Sequence, residues 1–282
     1  MRYWVVVVAR NAAHHLSFTL TSLVNQTIRP AAIVVVNDGS SDETSEILAK
    51  ATLKHPIIRV LDLPDRGYDI RRVPANINLA IASANELQTE YLMISGDDCT
   101  YPTDYFEAVA QGMDRNVRIV VASGRPSQSG VVAQEHSPSG SGRIVRSSFL
   151  DRVGNRFPVR AGWEAWLLYR AAQMGFETKL FDDLFYEHLR PRGSTHQFTY
   201  WGAAMYTLGY HPLYAMGRVA KNLVKRSPRS ALFLIRGYLT AALGSSDSFT
   251  KLFEPSLRKF VSRQQGREIG RRVVSVISRG IG

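Results

Sequence analysis

Asp38 stands where an apolar run breaks. Ile33-Val34-Val35-Val36 has the β-branched pattern of a buried strand. Asn37-Asp38-Gly39-Ser40-Ser41-Asp42 follows, which is turn and helix-start chemistry, with Ser41 or Asp42 able to cap the next helix. Asp38 is thereby left at the carboxyl end of a strand, where ligands bind in open α/β sheets. A plain strand–turn–helix with a solvated acid has the same spacing. A second apolar run, Tyr91-Leu-Met-Ile-Ser95, ends in the same way on Gly96-Asp97-Asp98. Further on, Glu164 is the only acid between Asp151 and Glu177.

These acids need a scaffold, and the hydrophobic periodicity supplies one. Strands are expected at Tyr3–Ala9, Ala32–Val36, Ile57–Leu63, Tyr91–Ser95, Arg118–Ala122 and Phe176–Asp182, with helices at Leu16–Asn25, Asp42–Lys54, Val73–Leu87 and Gly162–Met174. Such alternation implies a doubly wound, mostly parallel sheet. Residues 124–142 are rich in Ser and Gly and carry Pro126 and Pro138, which predicts a loop.

The wording of these segments is more specific than their spacing. Val35-Val36-Asn37-Asp38-Gly39-Ser40-Ser41-Asp42 resembles the first signature of the family-2 glycosyltransferases, a strand ending in V-D/N-D-G-S-x-D. The resemblance extends over about residues 3–195, with further motifs in family order. It implies an α/β GT-A fold: one Rossmann-like, mostly parallel mixed sheet flanked by helices, with a C-terminal helical appendage. It also implies transfer of a sugar from a nucleotide diphosphate, with Asp38 on the nucleoside.

Tyr91–Asp98 resembles the family strand whose Asp-x-Asp holds a divalent metal. Ser95 replaces the first Asp here, so Asp97 is the first choice of ligand and Asp98 the second, for Mg²⁺ or Mn²⁺. Ala161-Gly-Trp-Glu-Ala-Trp-Leu-Leu-Tyr-Arg170 resembles the helix that carries the general base of inverting members. Alignment from Arg170 puts Glu164 at the base position, whereas alignment from Gly162-Trp163 puts Ala165 there. Glu164 is favoured because it is the acid. Trp163 and Trp166 suit either an acceptor pocket or the core. Phe185-Tyr-Glu-His188-Leu-Arg190-Pro-Arg192 resembles a strand ending in His and a flexible basic segment. That implies His188 as a third metal ligand, Arg190 and Arg192 on the diphosphate, and residues 192–196 as a lid. Asn11, in the turn after the first strand, and Arg72 and Asn76, before the fourth, complete the expected donor site.

Charge divides the chain. Residues 1–217 hold 21 Lys/Arg and 21 Asp/Glu, whereas residues 218–282 hold 14 and 3, so the whole net charge of +11 lies in the tail. A catalytic domain over 1–197 and a basic helical region over 198–282 are therefore expected. The tail has aromatic residues at Phe198–Gly217, basic residues at Arg218–Arg229, and Leu232, Ile235, Leu239 and Leu243 at helical spacing. Its apolar runs fall short of a membrane span. Its composition suits an interfacial helix on an anionic membrane, or else a helical subdomain basic on its outside. Cys99 alone excludes an internal disulfide framework and fits a reducing compartment. A strand directly after Met1-Arg2 leaves no room for a signal peptide. The expected location is cytoplasmic, peripheral on the inner face of the cell membrane.

Together these features point to an inverting, hexosyltransferase-type enzyme that moves a sugar from a nucleotide-diphosphate sugar to a hydroxyl of a glycan or lipid-linked acceptor. A polyprenyl-phosphate acceptor is the near alternative. A nucleotidyltransferase would show a Gly-rich, Lys-bearing phosphate loop after the first strand, and Ala9-Arg10-Asn11 offers none. The tail also raises a nucleic-acid-binding module, but no recognised motif accompanies the charge, so no nucleic-acid partner is expected.

Overall fold

The computed structural model describes residues 1–128, 131–132, 137–190, 195–225, 227–244 and 247–280, and their side chains except at 131–132, 195–197, 225 and 272–280. The first half alternates as expected: β1 (Tyr3–Ala9), α1 (Leu16–Val24), β2 (Ile33–Asp38), α2 (Thr44–Lys54), β3 (Ile58–Leu63), α3 (Val73–Ser83) and β4 (Tyr91–Ser95). Next come β5 (Cys99–Thr100), α4 (Tyr105–Asp114), β6 (Ile119–Gln128), β7 (Val131–Val132), β8 (Arg143–Arg146) and α5 (Ser147–Arg152). The chain continues with α6 (Trp163–Gln173), β9 (Glu177–His188), α7 (Thr195–Thr207), α8 (Pro212–Lys225), α9 (Pro228–Ala242) and α10 (Pro255–Gly280).

One mixed sheet runs β3-β2-β1-β4-β8-β6-β9-β5, with β7 beside β6. β3, β2, β1 and β4 are mutually parallel, so their carboxyl ends share one edge. β8 enters antiparallel between β4 and β6. β1, β2 and β4 are buried almost throughout, as continuous apolar runs covered on both faces must be.

Three expectations change. Residues 124–128, expected to begin a loop, continue β6 and pair with β9 after a register shift at Gly124/Arg125. At Gly124 a Cβ would lie 2.6 Å from the Leu184 carbonyl oxygen, so the missing side chain permits that close pairing. Of the remaining loop, residues 129–130 and 133–136 lie outside the described residues. The strand expected at Phe176–Asp182 and the one ending in His188 are a single strand, β9. The helix expected to reach Leu87 stops at Ser83.

The chain divides into two compact units, residues 1–158 with 174–192, and residues 159–173 with 193–282. The segment carrying Glu164 therefore groups with the tail helices, in contrast to a cut after residue 197. In the first unit Tyr3, Leu20, Val35, Met93, Phe106 and Tyr186 belong to one buried cluster between sheet and helices. In the second, α7 and α9 approach through glycine. A Cβ on Gly202 would lie 2.0 Å from the Leu234 carbonyl oxygen, and one on Gly237 only 1.9 Å from that of Thr199. α9 buries Ala231, Leu234, Gly237 and Ala241, and leaves Leu232, Ile235 and Leu239 exposed. Among the described residues no helix is long and apolar enough to cross a membrane.

Candidate active site

Parallel pairing sets Ala9 beside Asn37, Asp38 beside Leu63, and Val7 beside Ser95. The turns after β1, β2, β3 and β4 therefore meet at one edge. Arg10 ties them together. Its Nη1 donates to the carbonyl oxygens of Asp38 and of Gly39, the latter at 2.7 Å, and its Nη2 donates to Asp65 Oδ1 at 2.6 Å. Its backbone N–H donates to Asp97 Oδ2 at 3.3 Å. Gly39, at φ +65°, is required by this packing, because a Cβ there would lie 2.4 Å from Asp65 Cα. Asn11, itself left-handed at φ +47°, accepts from the Ser41 N–H at 2.8 Å and so braces the turn after β2. Helix α2 starts at Thr44 with Glu43 as its cap residue and no side-chain cap bond, so neither Ser41 nor Asp42 caps it; Asp42 Oδ1 accepts from the Thr44 N–H at 3.1 Å.

Asp38 is buried, and Arg72 forks onto it, with Nε and Nη2 at 3.1 and 3.0 Å from Oδ2. The same guanidinium also donates to the Gly67 carbonyl oxygen. Asn76, on α3, is buried, and its Nδ2 has no hydrogen-bond partner among the described residues. Neighbouring Arg71 instead pairs with Asp69 at 2.8 Å.

Beyond β4, Asp97 and Asp98 turn to different partners. Arg190 Nη2 lies 3.2 Å from Asp97 Oδ2. Burial pushes the Asp97 carboxyl up to about 6, against the pull of Arg190. Asp98 Oδ1 lies 3.7 Å from His188 Nδ1. Burial also resists ionisation of Asp98, but His188 and Arg190 outweigh it and hold that carboxyl below the usual range. Ser95, in place of an acid, is buried and accepts from the Tyr101 hydroxyl at 2.9 Å. Cys99 pairs with His188 across β5 and β9, and its Sγ is 3.4 Å from Nδ1, so Asp98, Cys99 and His188 form a compact group of metal-ligand types.

The first unit thus brings Asn11, Asp38, Arg72, Asp97, Asp98, His188 and Arg190 into linked contacts. Glu164 belongs to the second unit, half-buried in the first turn of α6, where Trp163 and Trp166 are buried. Arg192 lies outside the described residues. Arg10, Asp65 and Cys99 were not among the expected site residues. Arg10 lies in the turn after the first strand, but its side-chain partners are 28 to 55 residues away and leave no local trace.

Acids and arginines gathered at the carboxyl ends of parallel strands mark the edge where open α/β sheets bind ligands. Residues 4–184 match the family model described as Glycosyl transferase family 2, and the chain belongs to that family. The fold is GT-A-like. A mannosyltransferase from Pyrobaculum calidifontis, PcManGT, solved with GDP-Man and Mn²⁺, superposes with a TM-score of 0.59 at 15% identity over 87% of this chain and 76% of that one. S. aureus TarS 1–349 superposes at 0.56 and 16% identity over 86% and 83%, and its complex with UDP-GlcNAc at 0.56 and 14% over 84% and 79%. Among curated proteins, the uncharacterized glycosyltransferase YibD of Escherichia coli K12 is 24% identical over 115 residues, 41% of this chain. The match spans 31% of YibD, about a third of its length.

Proposed function

We propose that this chain is an inverting glycosyltransferase that takes a hexose from a nucleotide-diphosphate sugar. One observation carries the reading: the strand ends gather Asp38–Arg72, Asp97–Arg190 and Asp98–His188, of which Asp38, Arg72, Asp97 and Asp98 lie within the stretch that matches the family. Asp38 and Arg72 bind the nucleoside side of the donor. The unpartnered amide of Asn76 supports a donor contact too, because a buried N–H without an acceptor costs about 1–3 kcal/mol that a ligand oxygen would recover. Arg190 meets the diphosphate, and Arg192 shares that role through its motif.

Asp98 and His188 lie in one compact group, and Asp97 adjoins it through Arg190; two carboxylates and an imidazole are donor types that suit Mg²⁺ or Mn²⁺ beside phosphate oxygens. Such an ion, when bound, supplies positive charge to the departing diphosphate. Glu164 takes the proton of the acceptor hydroxyl as its oxygen attacks the anomeric carbon, a role that rests on its motif. One displacement inverts the anomeric configuration. A phosphate acceptor is already anionic and needs no strong base, so the acid at Glu164 favours a hydroxyl of a glycan or lipid-linked acceptor.

Exposed apolar stripes on α8 (Leu213, Met216, Leu223) and α9 (Leu232, Ile235, Leu239), beside exposed Arg218, Lys221, Arg229 and Arg236, support docking on an anionic membrane. The donor reading is tested by thermal unfolding with UDP-, GDP- and dTDP-sugars plus Mn²⁺. A donor at 100 times its Kd stabilises by about 2.7 kcal/mol. No stabilisation by any donor, with no nucleotide released, rejects it.

A further inference from the structure

Cys99 has no part in the sugar-transfer scheme, yet the fold delivers it to the metal candidates with narrow tolerances. The antiparallel β5–β9 register places Cys99 directly opposite His188, and the Leu189 N–H donates to the Asp98 carbonyl oxygen at 2.8 Å, closing the corner. Three separations define the resulting triangle. Cys99 Sγ is 3.4 Å from His188 Nδ1 and 3.6 Å from Asp98 Oδ1, and Asp98 Oδ1 is 3.7 Å from His188 Nδ1. Zinc binds sulfur at about 2.3 Å and nitrogen or oxygen at about 2.0–2.2 Å, so the corners of its tetrahedron lie about 3.3–3.6 Å apart. The triangle already has nearly that size. Cys99 is fully buried and His188 nearly so, while Asp98 is the most exposed of the three side chains, so its carboxylate marks the side of entry.

We propose that Asp98, Cys99 and His188 form a three-ligand site for a thiophilic divalent cation, Zn²⁺ in preference to Mg²⁺ or Mn²⁺, with the fourth position open. The proposal deepens the metal part of the function above and rests on it only for the shared ligands Asp98 and His188. Thiolate is a soft ligand that selects zinc over magnesium or manganese, and imidazole suits zinc as well, so the Cys99 sulfur sets the order of affinity. On binding, the Cys99 S–H bond breaks, the proton leaves to solvent, and the thiolate pair goes to the metal. His188 binds as neutral imidazole through Nδ1. A zinc ion so held occupies Asp98 and His188, and it therefore competes with the cation that accompanies the donor.

The test uses the full chain, freed of metal with a chelator and titrated with Co²⁺ as a coloured substitute for Zn²⁺. The expected result is a sulfur-to-cobalt charge-transfer band with intense visible bands of tetrahedral type, all erased by one equivalent of Zn²⁺. Cys99→Ser should remove the sulfur band and lower Zn²⁺ affinity at least about tenfold, while Mn²⁺ affinity, read by electron paramagnetic resonance, changes less than about threefold. X-ray absorption of the zinc-loaded wild-type chain should show a sulfur neighbour at about 2.3 Å, which needs no variant to fold. Absence of that sulfur neighbour, or Zn²⁺ affinity unchanged in a folded Cys99→Ser, overturns the proposal. A sulfur band in the Co²⁺-loaded chain, with no donor turnover by the zinc-free chain supplied with Mn²⁺, leaves this site standing and refutes the transferase scheme. Turnover without a sulfur neighbour does the reverse.

Discussion

Replacing Arg10 with Met should loosen the whole edge on which the donor site is built. Its Nη1 serves two carbonyl oxygens, those of Asp38 and Gly39, in residues that are buried. A hydrogen bond to a charged group contributes about 1.5–3 kcal/mol, so two such bonds are worth at least about 3 kcal/mol. Met preserves the stem and its packing, and water entering the opened turn recovers part of the loss. The net destabilisation is expected at about 2–3 kcal/mol. The Asp65 contact lies on an exposed carboxylate and adds little. Because the Asp38 backbone is one of the groups released, the Arg72 fork loses its anchor, and donor affinity should fall by about tenfold or more. Arg10→Lys should rescue little, since an ammonium cannot span both carbonyls and Asp65 at once. Urea unfolding gives the stability change and calorimetric donor titration gives the affinity. If Arg10→Met unfolds within 0.5 kcal/mol (about the spread of ordinary surface substitutions) and binds donor normally, Arg10 does not organise this edge.

Other variants address separate parts of the scheme. Asp97→Asn should abolish Mn²⁺-dependent donor hydrolysis; full activity at saturating donor would remove Asp97 from the metal. Glu164→Gln should leave donor binding intact and slow transfer by about 10²–10⁴-fold, the range of a general base, whereas equal loss of binding and transfer would mark a structural role. Gly237→Ala forces a methyl group to 1.9 Å from the Thr199 carbonyl oxygen. It should cost at least about 1–3 kcal/mol, as overpacking does, and an unchanged melting temperature would contradict the α7–α9 crossing. Changing the exposed Arg218, Lys221, Arg229 and Arg236 to Gln should cut sedimentation with anionic liposomes by about 1 kcal/mol per charge that faces the surface, without altering hydrolysis of soluble donor. Undiminished sedimentation would exclude this face as the anchor.

Local pattern was enough for the strands that carry the site. Ile33–Val36 and Tyr91–Ile94 are apolar runs too short for helices, and each is followed by turn residues, so Asp38, Asp97 and Asp98 could be placed at strand ends from the sequence alone. The same holds for the zero-charge core and the +11 tail, since charge needs no coordinates. Tertiary structure decided what those residues face. Arg10 reaches Asp38 and Asp65, and Arg72 reaches Asp38, only because parallel pairing stacks turns that lie tens of residues apart. Cys99 meets His188 through a register between a two-residue strand and one 89 positions away, which no local period encodes. Residues 124–128 read as loop because Gly, Pro and Ser dominate them, yet β9 supplies the partner that makes them strand. On α9 the spacing of Leu232, Ile235 and Leu239 put them on one face but left open whether that face is buried, and the close crossing with α7 buries Ala231, Leu234, Gly237 and Ala241 instead. Sequence periodicity reports which residues share a face; the packing partner decides which face is buried.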